Sequence, residues 1–187
     1  IKDMITGYVC GAYARVNNID EALEYFINKE DLNSVLYCLN AKGEITGLES
    51  RLECINKYAP DSPQIPEILQ EAISGIEPWG EKDLSYRYRM TNSLVNANKR
   101  SYTSSNRPLY NQLYTIAIKM TKDPSSDKAL WYYTAAYLTD LDGKPEEAWE
   151  HIRNASKYPA SQYLKESIRV MNMYLDAKVS NYDAAYE

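Results

Sequence analysis

The chain has 187 residues, 44% of them hydrophobic and 25% charged, with a formal net charge of −5 and a pI near 5.1. That balance suits a folded protein and excludes a disordered one. No apolar run approaches the roughly 18 residues of a membrane span, no charged-then-apolar leader opens the chain, and the acidic balance argues against nucleic-acid binding.

Glycine is scarce and apolar residues recur at spacings of three and four, so the expected class is all-α. A first helix is predicted over 2–16, with Val9, Cys10 and Tyr13 on one face. Asp20 opens a short helix carrying Ala22, Leu23, Phe26 and Ile27. A third runs from Asp31, an N-cap residue, to Ala41, and Gly43 stops it. A fourth, over 45–58, places Leu48, Leu52 and Ile55 at helical spacing. A fifth starts near Ser62 and Pro63 and carries Ile65, Ile68, Leu69, Ile73 and Ile76 until Pro78 and Gly80 break it. A sixth covers 81–98. The polar stretch 99–108 reads as a loop, and 109–121 as helix again. Asp123 to Ser126 form a turn. Three further helices follow over 127–141, 145–157 and 161–179. Pro145 suits a first helical turn, where its missing N–H does no harm.

One hairpin signature recurs. Asn17-Asn18-Ile19-Asp20-Glu21-Ala22 returns as Gly143-Lys144-Pro145-Glu146-Glu147-Ala148, and again as Ser180-Asn181-Tyr182-Asp183-Ala184-Ala185. Each copy is a polar turn, an acid, and a small Ala where a second helix packs. Recurrent helix–turn–helix units mark an α-solenoid of antiparallel helix pairs. The chain here resembles tetratricopeptide (TPR) repeat proteins. Val9, Cys10, Tyr13, Ala22 and Phe26 fall in that family's order, as do Leu32, Val35, Leu39, Leu48, Leu52, Ile55 and Pro60. Trp131, Ala135, Leu138, Ala148, Ile152, Ala155 and Pro159 follow it with one insertion and one deletion. The spacing between packing positions departs from the family period of 34, so the repeats are degenerate and irregular in the middle. Three segments are expected: TPR-like pairs over 1–60, an off-pattern helical stretch over 61–125, and TPR-like pairs over 126–187, truncated at the C-terminus. The chain opens at Ile1, not Met, and closes within a hairpin, so a piece of a longer protein is expected. Its compartment is left open between cytoplasm and, if a leader was removed, periplasm or cell envelope.

No phosphate-binding glycine loop and no nucleophile elbow is present. His151 stands alone, which excludes two-histidine metal motifs. It reads as a solvated or half-packed side chain. Cys10, Cys38 and Cys54 are too few for a disulfide framework or a zinc site and read as small buried hydrophobes. A Cys10–Cys38 or Cys38–Cys54 bridge is left open by spacing. Asn154-Ala155-Ser156 matches a glycosylation acceptor, but Ala155 is a packing position. The expectation is a protein that is not an enzyme, with no cofactor and no metal.

Two features stand out from this background. There are 18 tyrosines against a single phenylalanine. Residues 84–122 hold seven basic side chains and no acid, in a chain that is acidic on both sides. Tyr86, Arg87, Tyr88, Arg89, Lys99, Arg100 and Tyr102 are therefore the candidate binding surface, facing an acidic protein or peptide partner. The leading expectation is a non-catalytic helical-repeat scaffold for protein–protein interaction, open at its C-terminal repeat to self-association. The alternative is a TPR-like segment of an outer-membrane lipoprotein that captures glycans on aromatic platforms.

Overall fold

The computed structural model describes Ala12, residues 18–76 and residues 107–183, with side chains as far as Ser180. The predicted helix over 81–98, nearly all of that over 2–16, and Val9, Cys10 and Tyr13 lie outside the described residues. The described residues form eight helices and no strand: α1 (Ile19–Asn28), α2 (Leu32–Ala41), α3 (Leu48–Tyr58), α4 (Gln64–Ile76), α5 (Arg107–Met120), α6 (Lys128–Leu141), α7 (Pro145–Ala155) and α8 (Gln162–Asp183). The chain divides into two compact units, residues 1–65 and 66–187. Within each, helices pack in chain order, as in helical-repeat proteins generally.

In the first unit, local chemistry sets the helix ends. Asn18 Oδ1 accepts from Asp20 N at 3.2 Å and starts α1. Asp31 starts α2, accepting from both Ser34 N at 3.3 Å and Ser34 Oγ at 2.6 Å. Each satisfies an amide that the first turn leaves without an intrahelical acceptor. Ala22 and Phe26 lie one turn apart on α1 and bury against Val35, Cys38 and Leu39 of α2. Cys38 fills the core as a small apolar group, and Cys54 is partly buried.

Helix α3 begins three residues later than its apolar pattern suggests. The Ser50 hydroxyl takes the amides of Thr46 at 2.8 Å and Gly47 at 3.1 Å, holding both outside the helix. Leu48 thus becomes the first helical residue and is only half-buried, whereas the sequence pattern places it in the core. Leu52 and Ile55, one and two turns further on, are buried.

The second unit repeats the same devices. Asp127 caps α6 by accepting from Leu130 N at 3.1 Å. Helices α2 and α6 end alike. Glu44 N reaches Leu39 O at 2.9 Å and Lys144 N reaches Thr139 O at 3.2 Å, with Gly43 and Gly143 at φ +75° and +76°. This is the Schellman arrangement, which needs a left-handed residue after the helix. Asp142, the residue after α6, accepts from Arg107 at the start of α5 and from Lys144 at 3.1 Å. Burial alone would raise its carboxyl, but the two cations hold it below the usual range. Arg107 and Pro108 are helical, so α5 starts inside the stretch read as loop. The Arg107–Asp142 pair anchors that first turn.

The core of this unit contains Trp131, Ala135 and Leu138 of α6, with Leu113, Ile116 and Ala117 of α5 also buried. Ala129, Ala136, Ala148 and Ala155 are fully buried in one cluster with Ile152 and the inner stripe of α8. That inner stripe is Leu164, Ile168, Met171 and Leu175. Two expectations for the C-terminal end are corrected here. Helix α8 continues to Asp183, through the turn expected at Ser180 and Asn181. The C-terminal repeat is expected to lie open, but its Met171 and Leu175 are buried because they face the cluster made with α6 and α7. The exposed apolar residues are instead Tyr163, Val170, Met173 and Tyr174.

Two substitutions test this packing. Ala148→Leu forces a larger side chain into a full contact and should cost about 1–3 kcal/mol. A urea midpoint unchanged from wild type would show that α7 is not pressed into the core as described. Glu30 follows α1 at φ +53°, and Asp31 N bonds Phe26 O at 3.1 Å in another Schellman-like end. Glu30→Gly relieves the side-chain clash of the left-handed conformation and should raise stability by about 0.5–1 kcal/mol, read from the same titration.

Candidate functional site

Tyr86, Arg87, Tyr88, Arg89, Lys99, Arg100 and Tyr102 all lie outside the described residues. Of the basic run, Arg107, Lys119 and Lys122 are described, and Arg107 is paired internally with Asp142. The surface that the structure brings together is a different one, between α6 and α8.

Helix α7 packs closely on both α6 and α8, while α6 and α8 touch each other only lightly. The space left between them is a groove of about 590 Å³. Helix α6 contributes Tyr133, Tyr137, Asp140 and Leu141. These recur at helical spacing and so share a face. Helix α8 contributes Tyr163, Glu166, Ser167, Val170, Met171 and Tyr174, again at spacings of three and four. Met171 belongs to the buried stripe, whereas Tyr163 and Val170 are 85% and 63% exposed.

The polar groups of the groove fall into two sets. At one, Lys178 Nζ bonds Asp140 Oδ1 at 2.6 Å and Tyr174 Oη at 3.1 Å, linking α8 to the end of α6. Burial acts to lower the Lys178 pKa, yet these two partners hold it above the ordinary value. At the other, Glu166 accepts from Gln162 Nε2 at 3.2 Å and lies 3.8 Å from Arg169 Nε. Both members of this second ion pair are well exposed. Burial holds the Tyr133 hydroxyl above its ordinary pKa, and Tyr163 adds to the effect, which puts the two phenols in one neighbourhood.

Other tyrosines are used differently. Tyr110 and Tyr114 of α5 stack at 5.9 Å, and Tyr132 of α6 stacks on Tyr158 at 5.7 Å. His151 of α7 stands between these pairs, 6.4 Å from the ring centres of both Tyr114 and Tyr132. It is half-buried, as the sequence leads one to expect. Cations close the two ends: Arg107 lies 4.7 Å from the Tyr110 ring centre and Lys128 5.6 Å from that of Tyr158. This ladder is structural packing across three helices.

Among the described residues, no group of His, Cys, Asp and Glu is placed to hold a metal ion. No described helix is long and apolar enough to cross a membrane. Comparison with protein-family models, with curated proteins and with solved structures finds no match to this chain.

The ladder carries a pH signature. Burial lowers the His151 pKa from 6.5, against the pull of Glu147 and Glu150. A depressed folded value means that the unfolded chain binds the proton more tightly. The stability from the neutral ring is complete above pH 6.5 and is lost as pH falls through that value toward the lower folded pKa. Wild-type Tm should therefore fall on acidification through this window, and His151→Asn should flatten that part of the profile. Parallel profiles for the two proteins would remove His151 as the cause.

Proposed function

We propose that this chain is a non-catalytic interaction module of a degenerate TPR-type solenoid, and that it holds a protein or peptide segment in the α6/α8 groove. The observation that supports this most is the groove lining. Tyrosine rings and an exposed valine face water along a helix whose opposite side is fixed in the core. Tyrosine suits such a surface because it offers apolar area with a polar tip at little cost in side-chain entropy. The shared caps of α2 and α6, and the small-residue contact of α6 with α7, favour the TPR reading among helical repeats. The order Trp131, Ala135, Leu138, Ala148, Ile152 and Ala155 runs through buried positions at every step.

The same lining also supports the second reading, a glycan-capturing segment of an outer-membrane lipoprotein. Ring faces flanked by the Asp140 and Glu166 carboxylates also fit sugar hydroxyls and sugar faces. The basic segment around Arg87 to Tyr102 remains a second proposed surface, for an acidic partner. Self-association through the exposed residues of α8 is a further proposal, and the compartment stays open between cytoplasm and cell envelope.

One labelled preparation, read on a peptide array and on a glycan array, separates the two main readings. The scaffold reading expects peptide signals that a Tyr163→Ala/Val170→Ser double variant loses while its circular dichroism is unchanged. Signals confined to glycans would transfer the groove to the second reading. Peptide signals untouched by the double variant would remove the groove from function altogether.

A further inference from the structure

We infer that the α6/α8 groove is specific for an extended peptide carrying an arginine, whose guanidinium stacks on Tyr163 and Tyr133 while Glu166 accepts its hydrogen bonds. This rests on the reading of the groove as a binding surface and names the chemistry of what it holds.

Charge complementarity is the first argument. The charged residues lining the groove are Asp140 and Glu166, and no lysine or arginine lines it. Asp140 is already held by Lys178 at 2.6 Å. Glu166 is the carboxylate still open to an outside cation. Its contact with Arg169 is long, at 3.8 Å, and both side chains are mostly solvated. An exposed pair of this kind is worth little and is readily exchanged for a better one.

The second argument is a device that this chain uses twice internally. Arg107 sits on the Tyr110 ring while pairing with Asp142. Lys178 sits against Tyr174 while pairing with Asp140. Each is a carboxylate, a cation and a tyrosine. The groove presents the same carboxylate and rings at Glu166, Tyr163 and Tyr133. Among the described residues, no side-chain cation lies over either of those rings. An incoming guanidinium completes the set. Arginine fits better than lysine because its planar, weakly hydrated head stacks on a ring and meets a carboxylate with two parallel donors.

Length is the third argument. Tyr163 to Tyr174 spans about 16 Å of helix at 1.5 Å per residue. An extended peptide covers that in about five residues at 3.3 Å each. With its arginine near Tyr163 and Glu166, the next residues pass over Ser167 and reach Val170, where an apolar side chain covers exposed surface.

The test uses fluorescence polarisation with a labelled peptide, Ala-Leu-Arg-Leu-Ala, and its twin in which citrulline replaces arginine. Citrulline keeps the shape and loses the charge. The whole chain should bind the arginine probe and bind the citrulline probe about 10-fold more weakly, the loss expected for one charged, stacked group. Glu166→Gln should shrink that difference, and Tyr163→Ala should weaken the arginine probe. Raising salt from about 0.05 to 0.3 M should weaken the arginine probe more than its twin. These residues are exposed, so both variants should keep the wild-type helical signal. Equal binding of the two probes, or an arginine preference undiminished by Glu166→Gln, overturns the inference. If Tyr163→Ala/Val170→Ser still abolishes binding in that case, the groove reading stands without it. Probe binding that ignores the double variant overturns both. So does failure of the arginine probe to bind at millimolar concentration while array-selected peptides bind elsewhere. Displacement of the probe by an equal concentration of a neutral oligosaccharide overturns the inference in favour of glycan capture.

Discussion

The methyl groups of Ala129 and Ala136 on α6 and of Ala148 and Ala155 on α7 are packed without exposed area in one cluster. Alanine at such positions lets two helix backbones approach more closely than leucine would, and a tightly packed interior has no slack to absorb a larger group. The rest of the C-terminal unit depends on this contact. Helix α7 is drawn against α6, and α8 then lays its Leu164–Leu175 stripe on the same cluster. Since α6 and α8 both lean on α7, they are held near each other without a full interface of their own. The groove is the geometric remainder of that arrangement.

The tyrosines show how one residue type serves two ends in one unit. Tyr110, Tyr114, Tyr132 and Tyr158 are stacked in pairs around His151, with their ring faces covered. Tyr163 and Tyr174 keep half or more of their surface in water. Tyr132 and Tyr133 are neighbours in sequence, yet a helical turn of about 100° per residue sends one to the ladder and the other to the groove. Composition alone registers an excess of tyrosine. Only the register of α6 divides it into packing and surface.

Much of the fold was legible because it is written in local chemistry. Asp31 as a cap, Gly43 as a helix stop, and Pro145 in a first turn each act over a few residues. The buried positions Ala22, Phe26, Leu52, Trp131, Leu138, Ala148 and Ile152 follow from helical period. The misses have physical reasons. Ser50 captures two amides and moves the start of α3 beyond what apolar spacing reveals. The Arg107–Asp142 pair, 35 positions apart, stabilises a helix start inside a polar stretch. At Ser180 the polar residues resemble a turn, but without a proline or glycine they do not end α8. The groove was not legible at all. Its two walls are separated by α7, and the pairing of Tyr133 with Tyr163 depends on how that helix is packed. The spacing of Tyr133, Tyr137 and Asp140 on one helix face was the available signal, and it is shared by many ordinary core faces.

Helix α8 carries two apolar stripes, and their difference bears on what the outer one is for. Leu164, Ile168, Met171 and Leu175 are buried, and each buried side chain of this kind contributes roughly 1.5–3 kcal/mol to holding the helix in place. Tyr163, Val170 and Met173 gain nothing of the sort while they face water. A stripe presented by a helix that is fixed on its other side is preorganised, so an occupant meets it without first ordering the backbone, and that ordering cost is what most weakens loosely held binding surfaces. The Lys178 bridge to Asp140 extends the same logic to the groove's far end, where it pins α8 to α6 and fixes the separation of the walls. Rigidity on the inside and exposed rings on the outside are then two results of one packing pattern, set by four alanines that do not themselves line the groove.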